Sequence, residues 1–181
     1  MTFDNRNYNK LTQMPQMPYL MISEILTENN NIWKLLQYNE ANALDQADLT
    51  SAQKRALIFN GEGDEAEYRV FTNLFLDESF NEVQSQIRVD VNEIRPDNYV
   101  YAQLNIGVMI LSHNSIMTLN NYENRTTRLL HEIIKTLNGI EINGIGKLVF
   151  DRDRHESVLA KKIKINNYFS GYILYMNVIS A

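Results

Sequence analysis

The chain of 181 residues contains no cysteine, and that absence removes disulfide scaffolds, thiol nucleophiles and thiolate metal sites together. Glycine and proline are scarce too, at 7 and 3, so collagen-like and Pro/Gly-rich low-complexity classes do not apply. No apolar run approaches the roughly 18–20 residues that span a bilayer. The first ten residues are polar and lack the apolar stretch of a signal peptide, so the expectation is a soluble protein made in the cytoplasm. A net basic balance is also missing: the formal charge is −5, with both signs interspersed, which argues against a dedicated nucleic-acid binder while leaving room for a local basic patch.

What is present suits a folded domain. Hydrophobic residues make up 44% and charged residues 22%, close enough to globular averages to exclude wholesale disorder. Asparagine is abundant, at 23, but scattered among core-like residues rather than gathered in a prion-like tract. It reflects nucleotide composition rather than function.

Residues 1–18, with Pro15 and Pro18, read as an aperiodic arm that either frays or orders against a neighbouring subunit. Residues 19–62 read as short helices. Leu20, Ile22, Ile25 and Leu26 precede a break at 27–31, and Ile32, Trp33, Leu35 and Leu36 follow it, with Asn30 or Asn31 as the cap. Thr50 and Gln53 form the frame of a capping box for a helix over 51–59, ended by Asn60-Gly61. The acidic stretch 61–67 lacks the ligand spacing and closing glutamate of a calcium loop and reads as solvated.

Residues 63–181 read as an α+β core. Strands are predicted over 68–76, 84–94 and 99–116, with Ile87, Val89 and Val91 on one face of the second and a turn at Pro96-Asp-Asn98. A helix over 122–137, capped by Asn120 or Asn121, carries Leu129, Leu130, Ile133, Ile134 and Leu137 as one stripe. Arg125, Arg128, Glu132 and Lys135 fall on its other faces, and Asn138-Gly139 ends it. Strands at 146–150 and 168–179 close the chain. The expected architecture is an antiparallel sheet of four to six strands, one face covered by the principal helix, with short N-terminal helices and an extended arm.

Residues that could carry chemistry form no constellation. His113, His131 and His155 have no metal-ligand spacing, and His131 reads as a partly buried packing residue. The run Gly144-Ile-Gly-Lys147 lacks phosphate-loop spacing and lies between helix and strand, the reverse of a phosphate cradle. Ser112 and Ser170 lack a nucleophile frame, and the pairs Asp64/Glu65 and Asp77/Glu78 look like surface carboxylates. No catalytic, cofactor-binding or metal residue is assigned, and no cofactor is expected. The densest charge cluster is a predicted loop, 151–164. Arg152, Arg154, Lys161, Lys162 and Lys164 within it are the candidate contacts, to a neighbouring subunit through charge register or to DNA through phosphates.

The order of strands, arginine-bearing helix, Leu-Asn-Gly turn, charged loop and Phe-x-Gly-Tyr strand is similar to tail terminator and tail-completion proteins of tailed phages. Residues 128–137, 144–148 and 169–174 carry this likeness, which extends over about 65–180. Residues 31–38 resemble the N-terminal helices of head–tail connection proteins. The resemblance implies a non-enzymatic ring, commonly hexameric, in the virion neck. Such a ring caps the tail tube or joins it to the connector, touches other neck and tail proteins, passes DNA through its lumen without sequence readout, and makes no membrane contact. The competing expectation is a small intracellular adaptor or regulatory domain acting as monomer or dimer.

Overall fold

The structure is a computed structural model and describes residues 14–96, 102–142, 146–150 and 160–179. The alternation of 84–94 becomes the long strand β2 (Ser85–Pro96), paired antiparallel with β3 (Ala102–His113). β3 pairs in turn with β7 (Phe169–Ile179), setting Ile106 opposite Met176 and Val108 opposite Leu174. The far edge of β7 is shared. β5 (Gly146–Phe150) lies along residues 176–179 and β6 (Ala160–Lys164) along residues 170–174. Two-residue strands complete the sheet: β4 (Glu141–Ile142) beside β5, and β1 (Val70–Phe71) beside β2. The order is β1-β2-β3-β7-β5-β4, with β6 on β7. Seven strands are present among the described residues, and β1 runs parallel to β2, so the sheet is mixed rather than wholly antiparallel. The α+β class stands.

One face of the sheet presents Ile87, Val89, Ile106, Val108, Ile110, Leu148, Leu174, Met176 and Val178, all buried. Against it pack Leu129, Ile133 and Leu137 of the principal helix, Arg125–Leu137, and Ile32, Trp33, Leu35 and Leu36 of helix Asn30–Gln37. Consecutive helical turns over 14–28, including the short α-helix Met17–Leu20, add Met17, Met21, Ile22 and Leu26 to the same core. In chain order the α-helices among the described residues are α1 (Met17–Leu20), α2 (Asn30–Gln37), α3 (Ser51–Ala56) and α4 (Arg125–Leu137). Helical region and sheet therefore share one core, and Met17, within the predicted arm, is fully buried in it. Residues 1–13 lie outside the described residues. Trp33 is the largest fully buried side chain, and its indole N–H donates to the Leu26 carbonyl at 2.8 Å, so its burial leaves no donor unpaired.

Several boundaries move, each for a local reason. Asn29 rather than Asn30 or Asn31 caps α2, its Oδ1 accepting from the Asn31 amide at 3.1 Å. Asn124 rather than Asn120 or Asn121 caps α4. Residues 118–124 are instead a tight turn, closed by a Thr118–Asn124 bridge, with Tyr122 at φ 62°. The Thr50–Gln53 capping box forms as predicted, but α3 stops at Ala56. Leu57 and Phe59 turn away to bond Arg69 and Val70, and that pairing ends the helix before Asn60-Gly61. Gly139, at φ 83°, supplies the left-handed residue after α4.

The predicted strand 68–76 shrinks to β1, and the chain beyond it crosses the second face of the sheet. That face, expected to be open, is partly covered: Leu76 joins Met109, Leu111, Phe169 and Ile173 in a second cluster, with Leu74 and Phe80 against it. Arg88 anchors this cover. It is fully buried, lies 3.9 Å over the Phe71 ring, and donates to Gln86, Asn73, the Phe75 carbonyl and Glu65. Burial lowers its pKa, and the Glu65 carboxylate partly offsets that. The predicted turn at 96–98 falls largely outside the described residues.

Candidate interaction edge and buried polar network

Arg152, Arg154 and His155 lie outside the described residues. Lys161, Lys162 and Lys164 belong not to a loop but to β6, which pairs with β7 from Ala160–Leu174 to Lys164–Ser170. The cause is alternate anchoring: Ala160 packs against the main core and Ile163 against the second cluster, which fixes this short charged strand in register. The three lysines remain exposed. Lys164 Nζ donates to Asn167 Oδ1 at 3.5 Å, a marginal bond, and none of the three makes an ion pair among the described residues.

β5 and β6 are nearly collinear, Phe150 standing opposite Met176 and Ala160 opposite Leu174. The outer edge of β5 is covered by β4, whereas among the described residues β6 pairs with β7 alone. Among the described residues, then, the outer edge of this lysine-bearing strand has no partner strand. Across the sheet, the chain entering β1 carries Glu62, Asp64 and Glu67, all exposed. The outer side of β1 is closed by Leu57 and Phe59, so this side offers carboxylates rather than backbone hydrogen bonds.

The charged residues of α4 depart furthest from the sequence reading. Arg125 and Glu132 are buried. The Arg125 guanidinium donates to five main-chain carbonyls: Ile116 (2.8 Å), Leu35 (3.0 Å), Tyr38 (2.7 Å), Asn39 (3.0 Å) and Glu40 (2.7 Å). Four of these lie at or just beyond the C-terminus of α2, where carbonyls lack intrahelical partners and the dipole favours a cation. Burial pulls its pKa down to about 10, with Glu40 opposing, so it stays charged at neutral pH.

Glu132 accepts from Asn29 Nδ2 at 3.0 Å, Asn31 Nδ2 at 3.3 Å and the Arg128 guanidinium at 2.8 Å. Burial raises its pKa, but these donors outweigh burial and hold it below the ordinary glutamate range. A carboxylate with a depressed folded pKa stabilises the fold above its unfolded pKa, and that contribution disappears as pH falls through the folded value. Wild-type unfolding free energy should therefore drop as pH is lowered below the ordinary glutamate value of 4.5, and Glu132→Gln should show a shallower drop over the same window. Urea melts from pH 6 to pH 3 measure this, and parallel profiles would disprove it.

His113 Nδ1 accepts from the Ser115 amide, and its ring stacks on Tyr168. His131 is exposed rather than partly buried, because α4 turns it away from the sheet. A cavity of about 550 Å³ lies between the N-terminal turns and α3, lined by Ser23, Asn30, Ser51 and Lys54 among others. Lys54 Nζ is already committed to the Thr27 carbonyl at 2.7 Å and Asn30 Oδ1 at 2.5 Å, a tie between two helical segments. Among the described residues no three His, Asp or Glu side chains gather as metal ligands, and no helix is long and apolar enough to cross a membrane.

No curated protein and no solved structure matches the chain. The YomW family model matches residues 29–178, from the cap of α2 to the penultimate residue of β7. That span covers both the helical layer and the sheet, and on it the chain belongs to the YomW family.

Proposed function

We propose that this chain is a structural, non-enzymatic virion protein of a tailed phage, assembling as a ring at the head–tail neck that terminates the tail tube or joins it to the connector. The observation that carries the reading is the outer edge of β6, a strand that bears exposed Lys161, Lys162 and Lys164 and, among the described residues, pairs on one side only. An open edge is a ready surface for a neighbouring subunit. The resemblance of residues 128–137, 144–148 and 169–174 to tail terminators points the same way. Native mass measurement and negative-stain imaging of the full chain test it, the expected result being a closed ring, with six copies the first expectation. A compact monomer at every concentration, alone and within virions, would overturn the proposal.

One observation favours a second reading, a monomeric or dimeric adaptor. Lysines on an edge strand are a common guard against edge-to-edge pairing. On that reading β6 is protected rather than sticky, and the same mass measurement separates the two.

A further inference from the structure

A lysine group and a carboxylate group stand on opposite sides of the sheet. β6 presents Lys161, Lys162 and Lys164, while the turn leading into β1 presents Glu62, Asp64 and Glu67, all exposed and none in an ion pair among the described residues. Along the order β1-β2-β3-β7-β6, four strand steps separate these edges. At about 4.8 Å per step the patches are roughly 19 Å apart. That exceeds the screening length of about 8 Å at physiological salt, so they do little to neutralise one another within a single chain.

Symmetric pairing of β6 with β6 of a second copy would set lysines against lysines, which is unfavourable. Opposite charges on opposite edges instead suit a heterologous contact, in which one patch of each copy meets the other patch of the next. Repeated by rotation, such a contact generates a ring.

We propose that copies of this chain dock head to tail, with the lysine-bearing edge of β6 seated against the acidic turn over 62–67 of the next copy. This rests on the ring reading and names the contact that builds the ring. Exposed ion pairs contribute little singly, and they fix partner choice and register rather than supply most of the affinity.

Two variants test the contact: Lys161→Glu/Lys162→Glu/Lys164→Glu, and Glu62→Lys/Asp64→Lys/Glu67→Lys. Each alone sets like charges at every junction and should raise the concentration for half-assembly at least tenfold, read by mass photometry. Mixed in equal amounts they restore complementary junctions and should assemble together in alternation, closing only with an even number of copies. Rescue on mixing also shows that both variants are folded. Wild-type assembly should weaken as sodium chloride is raised.

Wild-type rings with unaltered assembly of both variants would overturn this contact and leave the ring reading standing. Failure of the mixture to recover would also overturn it. A wild-type protein that stays monomeric would remove the ring reading and this contact together. Loss of duplex-DNA binding in the lysine variant, with assembly unchanged, would assign the lysines to DNA instead.

Discussion

Arg125→Met is expected to lower the unfolding free energy by about 3–5 kcal/mol, because the substitution strands the carbonyls that the guanidinium now satisfies. Five main-chain oxygens depend on this side chain, and four of them belong to the end of α2. Methionine fills much of the same volume, so the loss is chiefly one of hydrogen bonds and charge rather than of packing. For a chain of this size the change corresponds to a fall in Tm of about 10 °C. Lysine keeps the charge but has three donors in place of a planar fork of five, so Arg125→Lys should recover only part of the loss. Urea and thermal melts of the three proteins settle the matter. If Arg125→Met unfolded within about 1 kcal/mol of wild type, the idea that one arginine ties α4 to α2 would fail, since a loss that small is what a single net hydrogen bond supplies.

Gly171→Ala should be at least as damaging. A Cβ on Gly171 would stand 1.9 Å from the Ile110 carbonyl oxygen and 2.9 Å from the carbonyl carbon. These are backbone atoms of β3, which is hydrogen-bonded to β2 on one side and β7 on the other, so they cannot retreat without breaking a central register. A flexible side chain could swing aside, but a carbonyl in the middle of the sheet cannot. Overpacking in a well-filled core typically costs about 1–3 kcal/mol, and a clash with fixed backbone belongs at or above the top of that range. The expected outcome is insoluble protein or a melting temperature lowered by about 10 °C, and a soluble variant that melts with wild type would refute the argument.

These two positions show where reading the chain alone stops. Gly171 was visible as part of a Phe-Ser-Gly-Tyr run, yet nothing in that run says that the main chain of β3 passes within van der Waals contact. Arg125 falls outside the Leu129–Leu137 stripe, and spacing along a single helix puts it on another face of α4. Four of its five partners are carbonyls some ninety residues away, and every sequence has carbonyls everywhere. Glu132 falls outside the stripe likewise, yet it meets Asn29 and Asn31 at the start of another helix. The second face of the sheet was expected to be open because Arg88, Asp90 and Asn92 alternate with apolar residues, but Arg88 itself draws the chain over that face.

The candidate contact residues divide similarly. Lys161, Lys162 and Lys164 were singled out by charge density, and charge density could not show that they sit on a strand. β6 is held by the backbone of β7 and by Ala160 and Ile163, two small anchors within a polar stretch. The acidic turn at 62–67 was read as solvated, which fits its exposure, but its place on the opposite edge from the lysines follows from strand order alone.

By itself the sequence determined the amphipathic stripe of α4, the alternation of β2, the capping box at Thr50–Gln53 and the turn at Gly139, because each depends on residues a few positions apart. Tertiary structure alone decided which charges are buried, which sheet face is covered and which edge is open. Those depend on what a distant part of the chain brings alongside, and local periodicity carries no record of it.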